Sequence, residues 1–244
     1  MTTARYLIVN ADDFGQTEGV NRGIIRAFET GIVTSASLMV RWPASSAAAR
    51  YGRDHPALDL GLHVDLGEWA CRDGQWVPVY EVVPADDSAA AGEEVSRQLG
   101  LFRALLGRDP THIDSHQHVH RSEPVRSILR RVSQSLKVPL RHESAARYCG
   151  DFYGQTATGD PYPEGLTVER LIEILAGLPA GTTELGCHPG LGNDVESTYC
   201  TEREDELQTL CDPRIRETLA AEQITLCSFR DLSASVAAGR ARKA

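Results

Sequence analysis

Tyr6-Leu7-Ile8-Val9-Asn10-Ala11-Asp12-Asp13-Phe14-Gly15 opens as a continuous apolar run and ends in an amide and two adjacent carboxylates. A short apolar run without alternation reads as a strand buried on both faces, as in a parallel sheet, followed by a loop. Outward from it, the same rhythm returns. Thr17 to Thr30 reads as a helix, with Val20, Ile24, Ala27 and Phe28 on one face and Gly31 as its stop. Thr34 to Val40 reads as a second strand and Ala44 to Arg53 as a second helix. Leu58 to Leu66 follows as a strand with uniformly apolar even positions, and with His63 and Asp65 together on its other face.

Further along, Glu93 to Leu106 spaces Val95, Leu99, Phe102 and Leu106 for one buried helix face. Glu123 to Leu136 does the same through Val125, Ile128, Leu129 and Val132, with Pro124 tolerated in its first turn. Val138 to Glu143 carries a weaker strand signal. Thr167 to Leu178 reads as a helix capped by Thr167, Thr183 to Gly190 as a strand running into a turn, and Thr201 to Glu222 as helix divided by Pro213. Ile224 to Phe229 reads as the last strand. Residues 67–92 and 145–165 break the rhythm and read as inserted loops, the first able to cover a site. The small, basic tail over 237–244 reads as frayed. About seven strands alternating with about six helices predict a single α/β domain with a parallel sheet. A distorted (β/α) barrel is the first reading; a doubly wound open sheet satisfies the same pattern.

A chain of 244 residues fits one such domain, and 41% hydrophobic content supplies its core. A formal charge of −9 argues against general affinity for nucleic acid or anionic membrane. No apolar run is long enough to span a bilayer. The start shows no signal-peptide pattern. Cys71, Cys149, Cys187, Cys200, Cys211 and Cys227 are scattered without a C-x-x-C pair, which reads as a reduced, cytoplasmic chain.

The chemistry gathers in His112-Ile113-Asp114-Ser115-His116-Gln117-His118-Val119-His120, where four imidazoles and a carboxylate occupy even positions. In an extended strand all of them share one face. Imidazole nitrogens and carboxylate oxygens are donors for borderline divalent metals. Asp12 and Asp13, His63, His116 and His188 each fall at the carboxyl end of an expected strand. In β/α folds those ends meet at one rim. Each residue alone has a structural reading: a turn, a helix cap, a satisfied core histidine. Together they are costly to bury unless they bind something or do chemistry. A carboxylate with two imidazoles leaves coordination positions open, as a catalytic metal requires. Rival readings are a two-metal phosphoesterase, a Cys187–His188 hydrolase and a non-catalytic sugar-binding protein. Adjacent strand residues point apart, which disfavours the cysteine pair.

Asn10 to Gly15, Gly61-Leu62-His63, Thr111 to His120 and Cys187-His188-Pro189-Gly190, in this order, resemble the motifs of YdjC-like carbohydrate deacetylases, a family that includes chitooligosaccharide deacetylases and hopanoid-associated HpnK proteins. The resemblance runs from Tyr6 to about Leu232. It implies a distorted β/α barrel related to NodB-type deacetylases, and metal-dependent removal of acetyl groups from N-acetylated sugars. It implies Asp13, His63 and His116 as metal ligands, Asp12 as general base and His188 as general acid. His112, Asp114, His118 and His120 would support the site or touch substrate, with an exchange between His116 and His118 still open. Arg141 matches a basic residue that orients the catalytic aspartate. Zinc is favoured by the histidines, with magnesium, nickel and cobalt as alternatives, and relatives suggest a homodimer.

Overall fold

The computed structural model describes residues 4–192, 194 and 197–232. In chain order the elements are β1 (Arg5–Phe14), α1 (Glu18–Glu29), β2 (Ser35–Leu38), α2 (Ser45–Asp54), β3 (Asp59–Val64), β4 (Gly67–Arg72), β5 (Gln75–Glu81), α3 (Ser88–Leu106), β6 (Ile113–Ser115), α4 (Val125–Leu136), β7 (Arg147–Cys149), α5 (Val168–Ala176), β8 (Gly181–Cys187), α6 (Glu202–Leu210), α7 (Pro213–Ala221) and β9 (Ile224–Leu226). Seven of the strands form one sheet in the order β6-β3-β2-β1-β8-β7, with β9 pairing β1 as well. Every pairing in that sheet is parallel. The sheet curls into an incomplete barrel. On its free side β6 makes an isolated parallel bridge, Ile113 to Leu140, in the segment that precedes β7, and among the described residues no ladder joins β6 to β7, so the fold is the distorted, incomplete barrel.

Strand alternation explains what fills the barrel. Leu7, Val9 and Ala11 of β1, Ala36 and Leu38 of β2, and Leu60, Leu62 and Val64 of β3 join the main core with helix residues such as Val20, Ile24, Val95 and Phe102. Ile113, Leu185 and Cys187 do the same from β6 and β8. The intervening residues turn inward. At the amino end of the barrel Ile8 packs with Ala146, Phe229 and Leu232. Above them the interior is polar: Asn10, Ser35, Ser37, His112 and Asp114 are all buried. Asn10 Nδ2 donates to Ser37 Oγ at 2.8 Å, Ser35 Oγ donates to Asn10 Oδ1 at 2.7 Å, and Ser37 Oγ donates to Asp114 Oδ2 at 2.6 Å. His112 stacks on Phe229 with ring centroids 3.7 Å apart. The ring fits because Gly61 faces it: a Cβ there would lie 2.4 Å from His112 Nε2.

Several local readings differ from the structure; Val138 to Glu143 forms no strand and contributes only the Leu140 bridge. Residues 67–92 are no plain loop: β4 and β5 form an antiparallel hairpin joined by Asp73-Gly74, both left-handed, at φ 51° and 74°. That is the backbone a two-residue primed turn demands. α3 begins at Ser88 rather than near Glu93, because Asp87 caps it by accepting from the amides of Ala89 and Ala90. β7 lies within the segment read as irregular; three residues are too short to show a period. Finally, the histidine stretch is extended only through Ser115. Gln117 and His118 are left-handed (φ 48° and 54°), and the chain coils over His116–Arg121. Ser115 Oγ accepts the His120 amide at 3.1 Å and lies 2.6 Å from His120 Nδ1. This local bonding competes with the strand ladder and ends it, so His118 and His120 leave the face shared by His112 and Asp114. The expected fraying over 237–244 lies outside the described residues.

Candidate active site

The end of β1 shows how neighbouring carboxylates serve one site. Adjacent strand residues normally point apart. Here Asp13 is left-handed, at φ 66°, and the register with β2 shifts between Ala11 and Phe14. This bulge turns Asp13 to the same rim that Asp12 reaches by normal alternation. Asp12 meets the interior of the barrel, where Arg141 Nη1 and Nη2 donate to its two oxygens at 2.6 and 2.8 Å. Arg141 also reaches Asp114 Oδ2 at 2.8 Å and Glu184 Oε1 at 2.6 Å. One buried guanidinium therefore ties three carboxylates from β1, β6 and β8.

Asp13, His63 and His116 offer ligand atoms all within 4.8 Å of one another, and all three are buried. Asp13 Oδ1 lies 3.3 Å from His63 Nε2 and 3.1 Å from His116 Nδ1. Each imidazole has a carboxylate behind it. His63 Nδ1 is 2.7 Å from Asp114 Oδ1, and His116 Nε2 is 3.4 Å from Glu68 Oε2. Arg203 Nη2 donates to Asp13 Oδ2 at 2.7 Å, leaving Oδ1 toward the histidines. A carboxylate backing each ligating imidazole is the usual way a protein fixes its tautomer and orientation.

Burial disfavours charge on His63, yet Asp114 and Asp12 outweigh it and push the imidazole up to about 10. At His116 burial is likewise outweighed by Asp13, to about 9. Asp13 is held well below the usual carboxylate range, since Arg203 and His116 overcome its burial. Asp12 is also lowered; burial opposes this, and Arg141 is the main counterweight. The carboxylates thus favour positive charge between Asp13 and the two imidazoles. The donor set, one carboxylate oxygen and two ring nitrogens with open positions, fits a divalent cation.

These groups open onto a cleft of about 710 Å³ also lined by Trp69, Trp76, Tyr148, Tyr153 and His188. His188 Nε2 lies 3.9 Å from Asp12 Oδ2. The His188 amide donates to Glu206, whose other oxygen accepts the Tyr199 hydroxyl. Thus Asp12, Asp13, His63, His116 and His188 share one rim. His112 lies deeper, 3.0 Å from Ser37 Oγ, and Asp114 and Arg141 sit beneath the cleft in the interior network. His118 and His120 instead gather with His142. Asp65 leaves the His63 face. Just beyond β3, it accepts from Arg41 Nη1, Trp42 Nε1 and the Tyr80 hydroxyl at 3.0–3.1 Å. Phe152, in the segment read as an irregular loop over 145–165, is wholly buried in the core. Cys187 is also buried, and its Sγ donates to Asn10 O at 3.4 Å. Burial pushes that thiol well up, so it makes a poor nucleophile.

Sequence reasoning missed Glu68, Glu184, Arg203 and Glu206. Glu184 had a signal, a carboxylate at an inward position of an otherwise apolar strand. Glu68 lies in the hairpin read as a loop. Arg203 and Glu206 sit on α6 among Glu202, Glu204 and Asp205, where nothing local separates a site residue from a solvated charge.

The YdjC-like protein family model matches residues 6–221. A carbohydrate deacetylase of Geobacillus stearothermophilus is 35% identical over 250 residues, covering 93% of this chain and 98% of that protein. A chitooligosaccharide deacetylase of Serratia marcescens is 32% identical over 259 residues, covering 93% and 99%. In fold, the chain is similar to the crystal structure of a proposed cellobiose-phosphate cleavage protein from Enterococcus faecalis. The TM-score is 0.78 at 23% identity, over 94% of this chain and 99% of that one. With its motifs gathered at one rim and relatives matched along nearly its whole length, this chain belongs to the YdjC-like family.

Proposed function

We propose that the protein is a metal-dependent deacetylase that hydrolyses the N-acetyl group of an N-acetylated sugar, releasing acetate and a free amine. The observation that carries this is the convergence of Asp13, His63 and His116 with Asp12 and His188 on one cleft. Asp13, His63 and His116 would hold one divalent ion. Zinc is favoured by the two imidazoles, with magnesium, nickel and cobalt as alternatives. Such an ion supplies Lewis acidity toward a carbonyl oxygen and toward water.

The remaining steps belong to the side chains. Asp12, kept ionised by Arg141, accepts the proton of the attacking water as its oxygen adds to the acetyl carbon. His188 delivers a proton from Nε2 to the sugar nitrogen as the carbon–nitrogen bond breaks. Glu206 grips the His188 amide and limits its motion. Trp69, Trp76, Tyr148 and Tyr153 give the cleft flat apolar walls suited to a sugar ring. Six cysteines with no disulfide among the described residues support a reducing, cytoplasmic compartment, and no helix among the described residues is long and apolar enough to cross a membrane.

The test is mass-spectrometric detection of acetyl loss from a panel of N-acetylated sugars, with and without chelator. Chelator-sensitive release from at least one sugar is expected. Phosphate release from sugar phosphates, with no acetyl loss, would favour the phosphoesterase reading instead.

A further inference from the structure

Apart from the Asp13 site, three imidazoles converge where the histidine stretch coils away from the barrel. His118, His120 and His142 offer ring nitrogens all within 4.8 Å of one another. Their ring centroids form a near-regular triangle: 5.8 Å from His118 to His120, 5.3 Å from His118 to His142 and 5.4 Å from His120 to His142. Two of the rings carry a nitrogen that nothing explains. His120 is 2% exposed; its Nδ1 is engaged by Ser115 Oγ, while its buried Nε2 has no hydrogen-bond partner. His118 Nε2 lies 3.3 Å from the Tyr148 hydroxyl, and its buried Nδ1 is likewise unpartnered. Buried polar atoms are rarely left so, and each such atom calls for a reason.

The backbone adds an independent observation. His118 and His142 are both left-handed, at φ 54° and 65°. That conformation is uncommon for residues other than glycine and concentrates where a side chain is held for a purpose. Two separate segments are thus bent to bring imidazoles to a third.

We propose that His118, His120 and His142 form a second divalent-cation site, selective for borderline transition metals of the zinc, nickel and cobalt class. Neutral nitrogen donors suit those ions, whereas magnesium and calcium take oxygen ligands. Three protein ligands leave a fourth position, and His118, His142 and Tyr148 line the same cleft as the Asp13 site. The two sites share no ligand, so this is not a bridged two-metal centre. The neighbouring Arg141 charge does not forbid it, because Asp12, Asp114 and Glu184 all contact that guanidinium. A third cluster, Asp12, His63 and Asp114, carries no such proposal: Arg141 already binds both of its carboxylates.

The experiment is equilibrium dialysis of the full chain against Zn²⁺, with elemental analysis of bound metal and a circular dichroism spectrum for each variant. The wild type is expected to bind two ions per chain. His142→Gly, which suits the left-handed backbone, should bind one, as should Asp13→Ala/His63→Ala; the triple variant should bind none. Excess Mg²⁺ should not displace the ion retained by Asp13→Ala/His63→Ala. Should His142→Gly fail to fold, His118→Asn gives the same reading, since asparagine tolerates that backbone. A His142→Gly protein that binds as many ions as wild type overturns the second site. Loss of zinc from Asp13→Ala/His63→Ala down to none overturns it as well, whereas failure of the deacetylase reading or of its Asp13 metal site would leave the difference between wild type and His142→Gly unchanged.

Discussion

Replacing Arg141 by methionine removes the one cation that three buried carboxylates share. Methionine approximates the length of the side chain, so packing is largely kept and the charge is the variable. In the wild type the guanidinium sits 2.6–2.8 Å from Asp12, Asp114 and Glu184, and all four residues are essentially buried. Removing one partner of a buried ion pair typically costs about 3–5 kcal/mol, because the other charge is left uncompensated. Three carboxylates that lose a shared partner set the expectation at the upper end, although Asp114 keeps His63 at 2.7 Å. Glu184 tempers it: burial, only partly offset by Arg141, already holds its pKa up at about 7, so it takes a proton readily.

The loss of stability on Arg141→Met is therefore expected at about 4 kcal/mol at pH 7, read from urea unfolding with an unchanged slope. The pH trend has a definite sign. Without the guanidinium the buried carboxylates titrate higher in the folded than in the unfolded state, so folding favours their protonated forms. That contribution is present at low pH and fades as pH rises through the folded values. The destabilisation should accordingly shrink between pH 7 and pH 5. A loss under about 1 kcal/mol at pH 7, or one that grows on acidification, would refute the claim that Arg141 neutralises the interior.

Further outcomes follow from the same geometry. Asp12→Asn should abolish acetate release while bound metal, measured by elemental analysis, stays at the wild-type level; full turnover would remove Asp12 from the chemistry. Glu68→Gln should weaken metal affinity by about 10–100-fold in calorimetric titration, since an amide is a poorer acceptor behind the His116 ring. Wild-type affinity would show that the 3.4 Å contact does not support the ligand. Gly61→Ala should cost about 1–3 kcal/mol in thermal unfolding, because the new methyl meets the His112 ring at 2.4 Å and that ring is pinned against Phe229.

What the sequence revealed, and what it hid, divides along physical lines. Buried parallel strands such as Tyr6–Val9 and Leu58–Leu66 announce themselves by composition, and their carboxyl ends meet by topology alone. Asp12, Asp13, His63, His116 and His188 were therefore legible before any coordinates. Local side-chain bonding was harder to see. The Ser115 hydroxyl captures His120 and ends the strand at a point where the alternating histidines suggest continuation. The Asp73-Gly74 turn was a readable hairpin signal, masked by the prolines and tryptophans around it. Arg203 and Glu206 lay beyond reach for a different reason. On an acidic helix only the packing of α6 against α1, a tertiary event, decides which charges face the site.

The central claim is that Asp13, His63 and His116 together hold a catalytic cation. Anomalous diffraction from a zinc-soaked crystal tests it most directly. The account predicts a peak bonded to Asp13 Oδ1, His63 Nε2 and His116 Nδ1 at about 2.0–2.2 Å, and a fully loaded crystal with no anomalous density within reach of Asp13 would contradict it.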